Sequence, residues 1–294
     1  MPNQLFSRSS DVKRVVKVRD LYSNKKDFGC LLIVGGSDVY SGAPALAGMA
    51  GLRTGAGMVF IAAPKGVTGT IRSYSPNLIV HSLSNDVITL NDVQKIVELL
   101  ARADAIVLGP GIGLNLKTQA AIIEIVKAVS KMKKPMLIDA DAIRAFHGRM
   151  EVLSKTNMVI TPHAGEFEAI SGIKMPPHWQ ERVPICVEFA KKNTCVLLMK
   201  GHDTVITDGD RVRVNNTGNP GMATAGAGDV LSGIIGAFLA QGADPFLAAV
   251  AGAYVHGLSG DRAYMEKGFH LIASDLIDML PVVLRKYDNK KWRR

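Results

Sequence analysis

Short apolar runs, each closed by glycine or a polar cluster, alternate along this chain with stretches of helical spacing. Residues 30–34 (Cys-Leu-Leu-Ile-Val), 58–63, 78–81, 105–108, 136–138, 158–160 and 195–199 are almost continuously apolar. A run of that kind predicts a strand buried on both faces, as in a parallel sheet. Residues 204–207 and 211–214, facing each other across Asp208-Gly209, predict a hairpin. Between the runs, helices are predicted over residues 40–57, 92–101, 118–129, 142–146, 165–170, 181–191, 245–263 and 273–280, with one more running from Asp229 to about Gln241. Strand and helix alternate, which predicts an α/β fold: a mainly parallel sheet covered by helices on both faces. The glycine and polar clusters at 35–37, 109–113, 139–141, 161–163 and 200–202 all follow strands. In such sheets ligands sit beyond the carboxyl ends of the strands.

The chain has 294 residues and shows no internal repeat or composition break, so one catalytic domain is expected over 28–285. Residues 1–27 are polar and read as an N-terminal arm covering a neighbouring subunit; 286–294 read as a basic C-terminal tail. The net charge is +9, but the basic residues are dispersed apart from the two ends. No aromatic-studded basic stripe marks a nucleic-acid surface, and an anionic substrate accounts for the charge through steering. Cys30, Cys186 and Cys195 have no metal or redox spacing and read as reduced core thiols of a cytoplasmic protein. No signal peptide is apparent, and no apolar run reaches the roughly 18 residues of a membrane span.

The richest candidate chemistry lies in Asn216-Thr-Gly-Asn-Pro-Gly-Met-Ala-Thr-Ala-Gly-Ala-Gly-Asp229. A glycine-rich loop opening a helix leaves main-chain N–H groups free at the positive end of the helix dipole, which suits phosphate. It is no Walker A loop, because Asp229 stands where that motif needs Lys. Asp229 reads either as a helix cap or as a base facing the phosphate. Lys200, Gly201, His202, Asp203 and Thr204 close a strand; Lys200 and Thr204 suit a nucleotide phosphate, or the segment is a solvated turn. Asn216, Thr217 and Asn219 offer polar groups beside the glycine loop. Gly109-Pro-Gly111-Ile-Gly113 allows close approach of a ligand, or is a plain turn. His163 and Glu166 flank a strand end, where His163 reads as structural or as a substrate contact. Asp139 and Asp141 end another strand and suit Mg²⁺ held through water, or Asp141 caps the next helix.

The run Ala225-Gly-Ala-Gly-Asp229 resembles the anion hole of the ribokinase-like superfamily. Taken with Ser41-Gly-Ala-Pro-Ala-Leu-Ala, Arg53-Thr-Gly-Ala-Gly57, Gly109–Gly113, Asp139-Ala-Asp141, Thr161-Pro-His-Ala-Gly-Glu166, Lys200-Gly201 and Tyr254-Val-His-Gly-Leu-Ser-Gly-Asp261, the chain resembles the nucleotide-dependent NAD(P)H-hydrate dehydratases. The resemblance runs from about Gly35 to Pro281. It departs from the family at Ala164, commonly Pro, and at Ala225-Gly226-Ala227, commonly Gly-Gly-Ser/Thr, which removes one hydroxyl from the anion site. It also leaves no epimerase domain before residue 30, so epimerisation is not expected.

The resemblance implies a ribokinase-like fold and a carbon–oxygen hydro-lyase of metabolite repair. ADP or ATP, with ADP favoured, phosphorylates the ring hydroxyl of hydrated NADH or NADPH, and loss of phosphate restores the reduced cofactor. It implies Asp229 as base, with Ala43, Gly111, Gly113 and His163 at the hydrated cofactor. The nucleotide falls to Lys200, Gly201, His202, Asp203, Thr204, Asn219, Ala225, Gly226, Ala227 and Gly228. Mg²⁺ accompanies the nucleotide phosphates, with Asp139 and Glu166 in reach through water, and a homotetramer is expected. Two other readings stay open: a kinase of a small hydroxymethyl vitamin precursor or sugar, which retains the phosphate, and a nucleotide sensor without turnover.

Overall fold

A computed structural model describes residues 5–153 and 158–288. Its sheet comprises β1 Cys30–Val34, β2 Met58–Ala63, β3 Ile79–Ser82, β4 Ala105–Leu108, β5 Met136–Ile138, β6 Met158–Ile160, β7 Val196–Met199, β8 Thr204–Thr207 and β9 Val212–Asn215. Around it run α1 Ser9–Lys13, α2 Gly42–Arg53, α3 Thr68–Ser73, α4 Val93–Ala101, α5 Leu116–Lys131 and α6 Asp141–Arg144. They are followed by α7 Ala164–Ser171, α8 Trp179–Asn193, α9 Ala227–Ala240, α10 Pro245–Lys267 and α11 Ala273–Leu284. The strand order is β3-β2-β1-β4-β5-β6-β7-β8-β9, parallel as far as β7, with β8 and β9 antiparallel. The fold is α/β, a mainly parallel sheet with helices on both faces.

Each strand sends alternate side chains to opposite faces, and both sets are buried because both faces are covered. Leu31, Ile33, Val59, Ile61, Val107 and Leu137 meet the helices α2, α9, α10 and α11. Leu32, Val34, Phe60, Ile106, Leu108 and Ile138 meet α4 to α8 on the other side. The direction of chain progression reverses between β1 and β4, which makes their carboxyl ends a topological switch point where a crevice opens. Helix α9 crosses β1, β4 and β5 just there. Its small residues permit this: a Cβ at Gly233 would stand 2.1 Å from the Ala47 carbonyl oxygen of α2.

The sequence reading of the elements differs from the structure at particular places. Helices α8 and α10 run longer than the apolar spacing marks, α8 carrying Pro184 within it. Helix α3 has no apolar periodicity long enough to mark it, yet it buries Thr68 and Ile71. Ala140, with φ 53°, precedes α6, and Asp141 is its first residue, so Asp141 is not the cap. The arm packs on its own chain: Val214 N donates to Leu5 O at 2.8 Å, Ser7 N to Val214 O at 2.9 Å, and Val12 and Val15 are buried in the core. This covers β9, an edge strand whose main chain is otherwise unpaired on that side. Residues 286–288 end beside α11, and 289–294 of the predicted tail lie outside the described residues.

Candidate active site

The crevice is assembled from loops that leave the carboxyl ends of β1, β4, β5, β6 and β7, closed by the N-terminus of α9. Gly226, in the left-handed region at φ 88°, turns the chain into α9, so that Ala227, Gly228 and Asp229 form its first turn. Ala227 N donates back to Thr224 O at 3.4 Å, whereas the Gly228 and Asp229 N–H groups have no partner within the helix and lie at the positive end of its dipole.

Asp139, at the end of β5, is 2% exposed and saturated. Its Oδ1 accepts from Lys200 Nζ at 3.0 Å and from Thr161 Oγ1 at 2.8 Å; its Oδ2 accepts from Ser232 Oγ at 2.6 Å. Burial by itself would raise this carboxyl's pKa, but Lys200, Ser232 and Thr161 outweigh it and hold the pKa below the ordinary value. Lys200 also lies 3.6 Å from Glu166 Oε2. Burial works against its charge, yet Asp139 and Glu166 overcome that and hold its pKa above the usual lysine range.

Glu166 belongs to a reciprocal cap on α7. His163 N donates to Glu166 Oε2 at 2.8 Å, while His163 Nδ1 accepts from the Gly165 and Glu166 main-chain N–H groups. Nδ1 is therefore an acceptor, and in the neutral ring the proton sits on Nε2, 3.5 Å from Glu166 Oε1. The structural role and the exposed position of His163 coexist. These carboxylates do not fit a directly ligated metal ion. Every Asp139 oxygen is taken by a protein donor, and an ammonium group stands between Asp139 and Glu166. Among the described residues no group of three His, Cys, Asp or Glu side chains converges as a metal site.

Asp229 is half-buried in the first turn of α9 and has no hydrogen-bond partner among the described residues. Desolvation, and then the negative charge of Asp139, push its pKa up to about 7 against the opposing pull of Lys200. A carboxyl at that value is poised to take a proton near neutral pH.

A cavity of about 420 Å³ opens on one side of α9. Lys200, Gly201, His202, Thr204 and Asn219 line it, with Ala227 and Gly228 at its α9 wall. The volume is within the range of small-ligand sites. Asp203 turns instead toward a separate recess of about 230 Å³ beside Trp179 and Arg182, and His202 projects into solvent. Ala225 and Gly226 are outside the cavity lining; a Cβ on Gly226 would stand 2.6 Å from Leu46 Cδ1 of α2.

On the other side, Gly111 meets α2. Its φ is 63°, and a Cβ there would lie 2.6 Å from the Tyr40 carbonyl oxygen and 3.0 Å from the Ala43 Cβ. The sequence-predicted pair Ala43 and Gly111 is thus adjacent in space, with Gly113 against Ser37. Gly111→Ala is expected to destabilise the protein by about 1–3 kcal/mol, through strained φ and a displaced Tyr40, read from denaturant unfolding.

Three residues of the site were not assigned roles by the sequence reading: Thr161, Ser232 and His256. Thr161 and Ser232 hold Asp139. His256, from the middle of α10, bonds the Ala227 carbonyl through Nε2 at 2.9 Å and lines the cavity. A lone histidine among the small apolar residues of α10 was the available signal. Ser232 left none, since a serine in a small-residue helix is ordinary.

A family profile described as NAD(P)H-hydrate dehydratase matches residues 31–282. The chain is 42% identical over 265 residues to a bifunctional NAD(P)H-hydrate repair enzyme of Pyrobaculum aerophilum, covering 90% of this chain and 52% of that protein. It is 35% identical to an ADP-dependent (S)-NAD(P)H-hydrate dehydratase of Cenarchaeum symbiosum, covering 95% and 96% of the two chains. Among solved structures, an ADP/ATP-dependent NAD(P)H-hydrate dehydratase of Bacillus subtilis crystallised with ATP and Mg²⁺ superposes with a TM-score of 0.84 at 29% identity, over 98% and 100% of the chains. This chain spans about half the length of the bifunctional relatives it matches. With the profile extending from β1 into α11, the chain belongs to the NAD(P)H-hydrate dehydratase family.

Proposed function

We propose that this protein uses ADP, or ATP, to dehydrate hydrated NADH or NADPH to the reduced cofactor. The observation that carries the reading is Asp229. It is an unpaired carboxyl in the first turn of α9, raised to about 7 by burial and Asp139, beside a cavity whose α9 wall is Ala227 and Gly228 of that same turn. Bases and anion sites are brought together in this way for phosphoryl transfer, where catalysis is mostly positioning and charge stabilisation.

In the first step Asp229 takes the proton of the ring hydroxyl while that oxygen attacks the terminal phosphorus of the nucleotide. The bond from phosphorus to the nucleotide oxygen breaks, leaving AMP from ADP. The amides of the α9 N-terminus and the Lys200 ammonium neutralise charge on the transferring group. In the second step the ring C–O bond breaks and phosphate leaves with the electron pair. A proton is lost from the neighbouring ring carbon, and the ring double bond returns. Hydroxide is a poor leaving group; phosphorylation replaces it with a good one.

Ala43, Gly111, Gly113 and His163 are assigned to the hydrated cofactor. Their support is the contact of Gly111 with Ala43 and the exposed ring of His163. Lys200, Gly201, His202, Thr204, Asn219, Ala227 and Gly228 are assigned to the nucleotide; Asp203, Ala225 and Gly226 lie outside the lining of that cavity and are adjacent to it along the chain. Mg²⁺ is assigned to the nucleotide phosphates, with Asp139 and Glu166, which flank the Lys200 ammonium, in reach only through water. A homotetramer belongs to the same proposal, supported by the exposed apolar group Tyr264, Met265, Phe269 and Ile272. A reducing, cytoplasmic setting is supported by three free thiols, all buried. No helix among the described residues is long and apolar enough to cross a membrane.

The test is incubation with hydrated NADH and ADP or ATP, following reduced-nicotinamide absorbance and free phosphate together. Both should rise in equal amounts. A stable phosphorylated product without recovered absorbance would establish the kinase reading in its place.

A further inference from the structure

His256 sits in the wall of the nucleotide cavity, and its chemistry is fixed by one bond. Its Nε2 lies 2.9 Å from the Ala227 carbonyl oxygen. A carbonyl only accepts, so Nε2 carries the proton and donates. Burial, and the nearby Lys200 charge, hold the ring neutral, with its pKa pushed down to about 4 against the pull of the Ala227 bond. A neutral ring protonated at Nε2 presents a bare lone pair at Nδ1. That atom has no hydrogen-bond partner among the described residues and is not sealed from the cavity the ring lines.

The other polar side chains of the wall are largely turned to the protein. Asn219 Oδ1 accepts from Gly221 N and its Nδ2 donates to Asp261. Thr204 Oγ1 donates to Gly201 O, and Thr217 Oγ1 contacts Asn215 Oδ1 and Tyr254 O. The remaining wall is built to donate: the Lys200 ammonium and the α9 amides suit phosphates. A lone pair in such a wall repels a phosphate oxygen and demands a donor. Because the ring is tied to the first turn of α9, that donor lies within one ring's width of the phosphate platform. In a nucleotide the group at that distance from the phosphates is the sugar.

We propose that His256 discriminates among nucleotides, its Nδ1 accepting a hydrogen bond from a ribose hydroxyl of the bound nucleoside diphosphate. The inference rests on the nucleotide reading of the cavity. His256 is a specificity residue, remote from the transferred phosphoryl group.

Calorimetric titration of the intact protein with ADP, 2′-deoxy-ADP, 3′-deoxy-ADP and inosine diphosphate tests it. One deoxy analogue should bind about five- to tenfold more weakly than ADP, and inosine diphosphate within about twofold. In His256→Phe, which keeps the ring and removes the acceptor, ADP and that deoxy analogue should bind alike. Equal binding of ADP and both deoxy analogues to the wild type would overturn the proposal. So would discrimination that survives in His256→Phe, or loss confined to inosine diphosphate, which would put the base amino group at Nδ1. Absence of any ADP binding to the wild type would overturn the nucleotide reading together with it. Should His256→Phe fold poorly, the wild-type series decides alone. The nitrogen-15 resonance of His256 Nδ1 gives a second readout, shifting with ADP and not with the weak deoxy analogue.

Discussion

Asp229→Asn is expected to lower nucleotide-dependent recovery of NADH from its hydrate by about 10²- to 10⁴-fold, the range for removing a positioned general base. The amide keeps the shape and the possible hydrogen bonds, and the α9 amides still receive phosphate, so nucleotide binding should persist. The wild-type pH profile should carry the same signature. With the Asp229 pKa near 7, kcat/KM should rise from pH 6 to 8 as the carboxyl ionises. A profile flat across that window, or full activity in the Asn variant, would remove Asp229 from the reaction.

The same substitution should alter stability in the opposite sense. The folded-state pKa lies above the ordinary 3.8, so folding favours the protonated acid. Nothing is at stake below pH 3.8; the opposition to folding builds as pH rises from 3.8 toward 7, where the unfolded chain has lost the proton and the folded one keeps it, and it is complete above 7. The full shift corresponds to roughly 4 kcal/mol, and partial exposure reduces it to about 1–3 kcal/mol. Asp229→Asn should therefore be more stable than wild type at pH 8 by that amount, with the gap closing toward pH 4. Urea unfolding at the two pH values measures it. A carboxyl held this way opposes folding, and the same burial is what raises its affinity for a proton.

Lys200→Met should have the largest effect on the fold itself. It leaves Asp139, 2% exposed, without its ammonium partner, and breaking a buried pair from one side is expected to remove about 3–5 kcal/mol. The pair's pH dependence follows from its shifts. Asp139 is depressed, so its contribution is complete above the ordinary carboxylate pKa and is lost as pH falls through the depressed value. Lys200 is raised, so its contribution is present below 10.5 and lost as pH rises through its folded value. In Lys200→Met the penalty should ease in acid, because a protonated Asp139 no longer needs a cation. Lys200→Met should also weaken nucleotide binding, and adding Asp139→Asn to it should restore most of the stability but not that affinity. Recovery of stability and affinity together would mean that Lys200 serves only the fold. Loss of neither in the single variant would mean that the bond to Asp139 is not a buried pair at all.

Much of the fold could be read from local pattern. Residues 30–34, 105–108 and 136–138 are apolar in every position because both faces of a parallel strand are covered. The glycine and polar clusters after them mark where those strands stop. Asp229 was legible for a similar reason: a run of glycines before a small-residue helix is chemically distinctive along a single stretch of chain. The N-cap role of His163 was legible only as half of a pair of possibilities, since a cap and a ligand contact use the same position.

What the chain could not show on its own were the partners that arrive from far away in sequence. Ser232 reaches Asp139 across 93 residues, and Lys200 reaches it across 61. Those bonds exist because β5 and β7 lie two places apart in the sheet and α9 crosses above them, and sheet order is fixed by long-range packing. His256 joins the cavity only because α10 packs beside α9, and no local signal distinguishes its inward edge from any other turn. The strands, the glycine-rich loop and the acidic residue at its end follow from local order alone, because each depends on neighbours along the chain. Tertiary structure alone decided that an ammonium stands between Asp139 and Glu166, and that burial beside Asp139 tunes Asp229, because fields and desolvation are set by what converges in space.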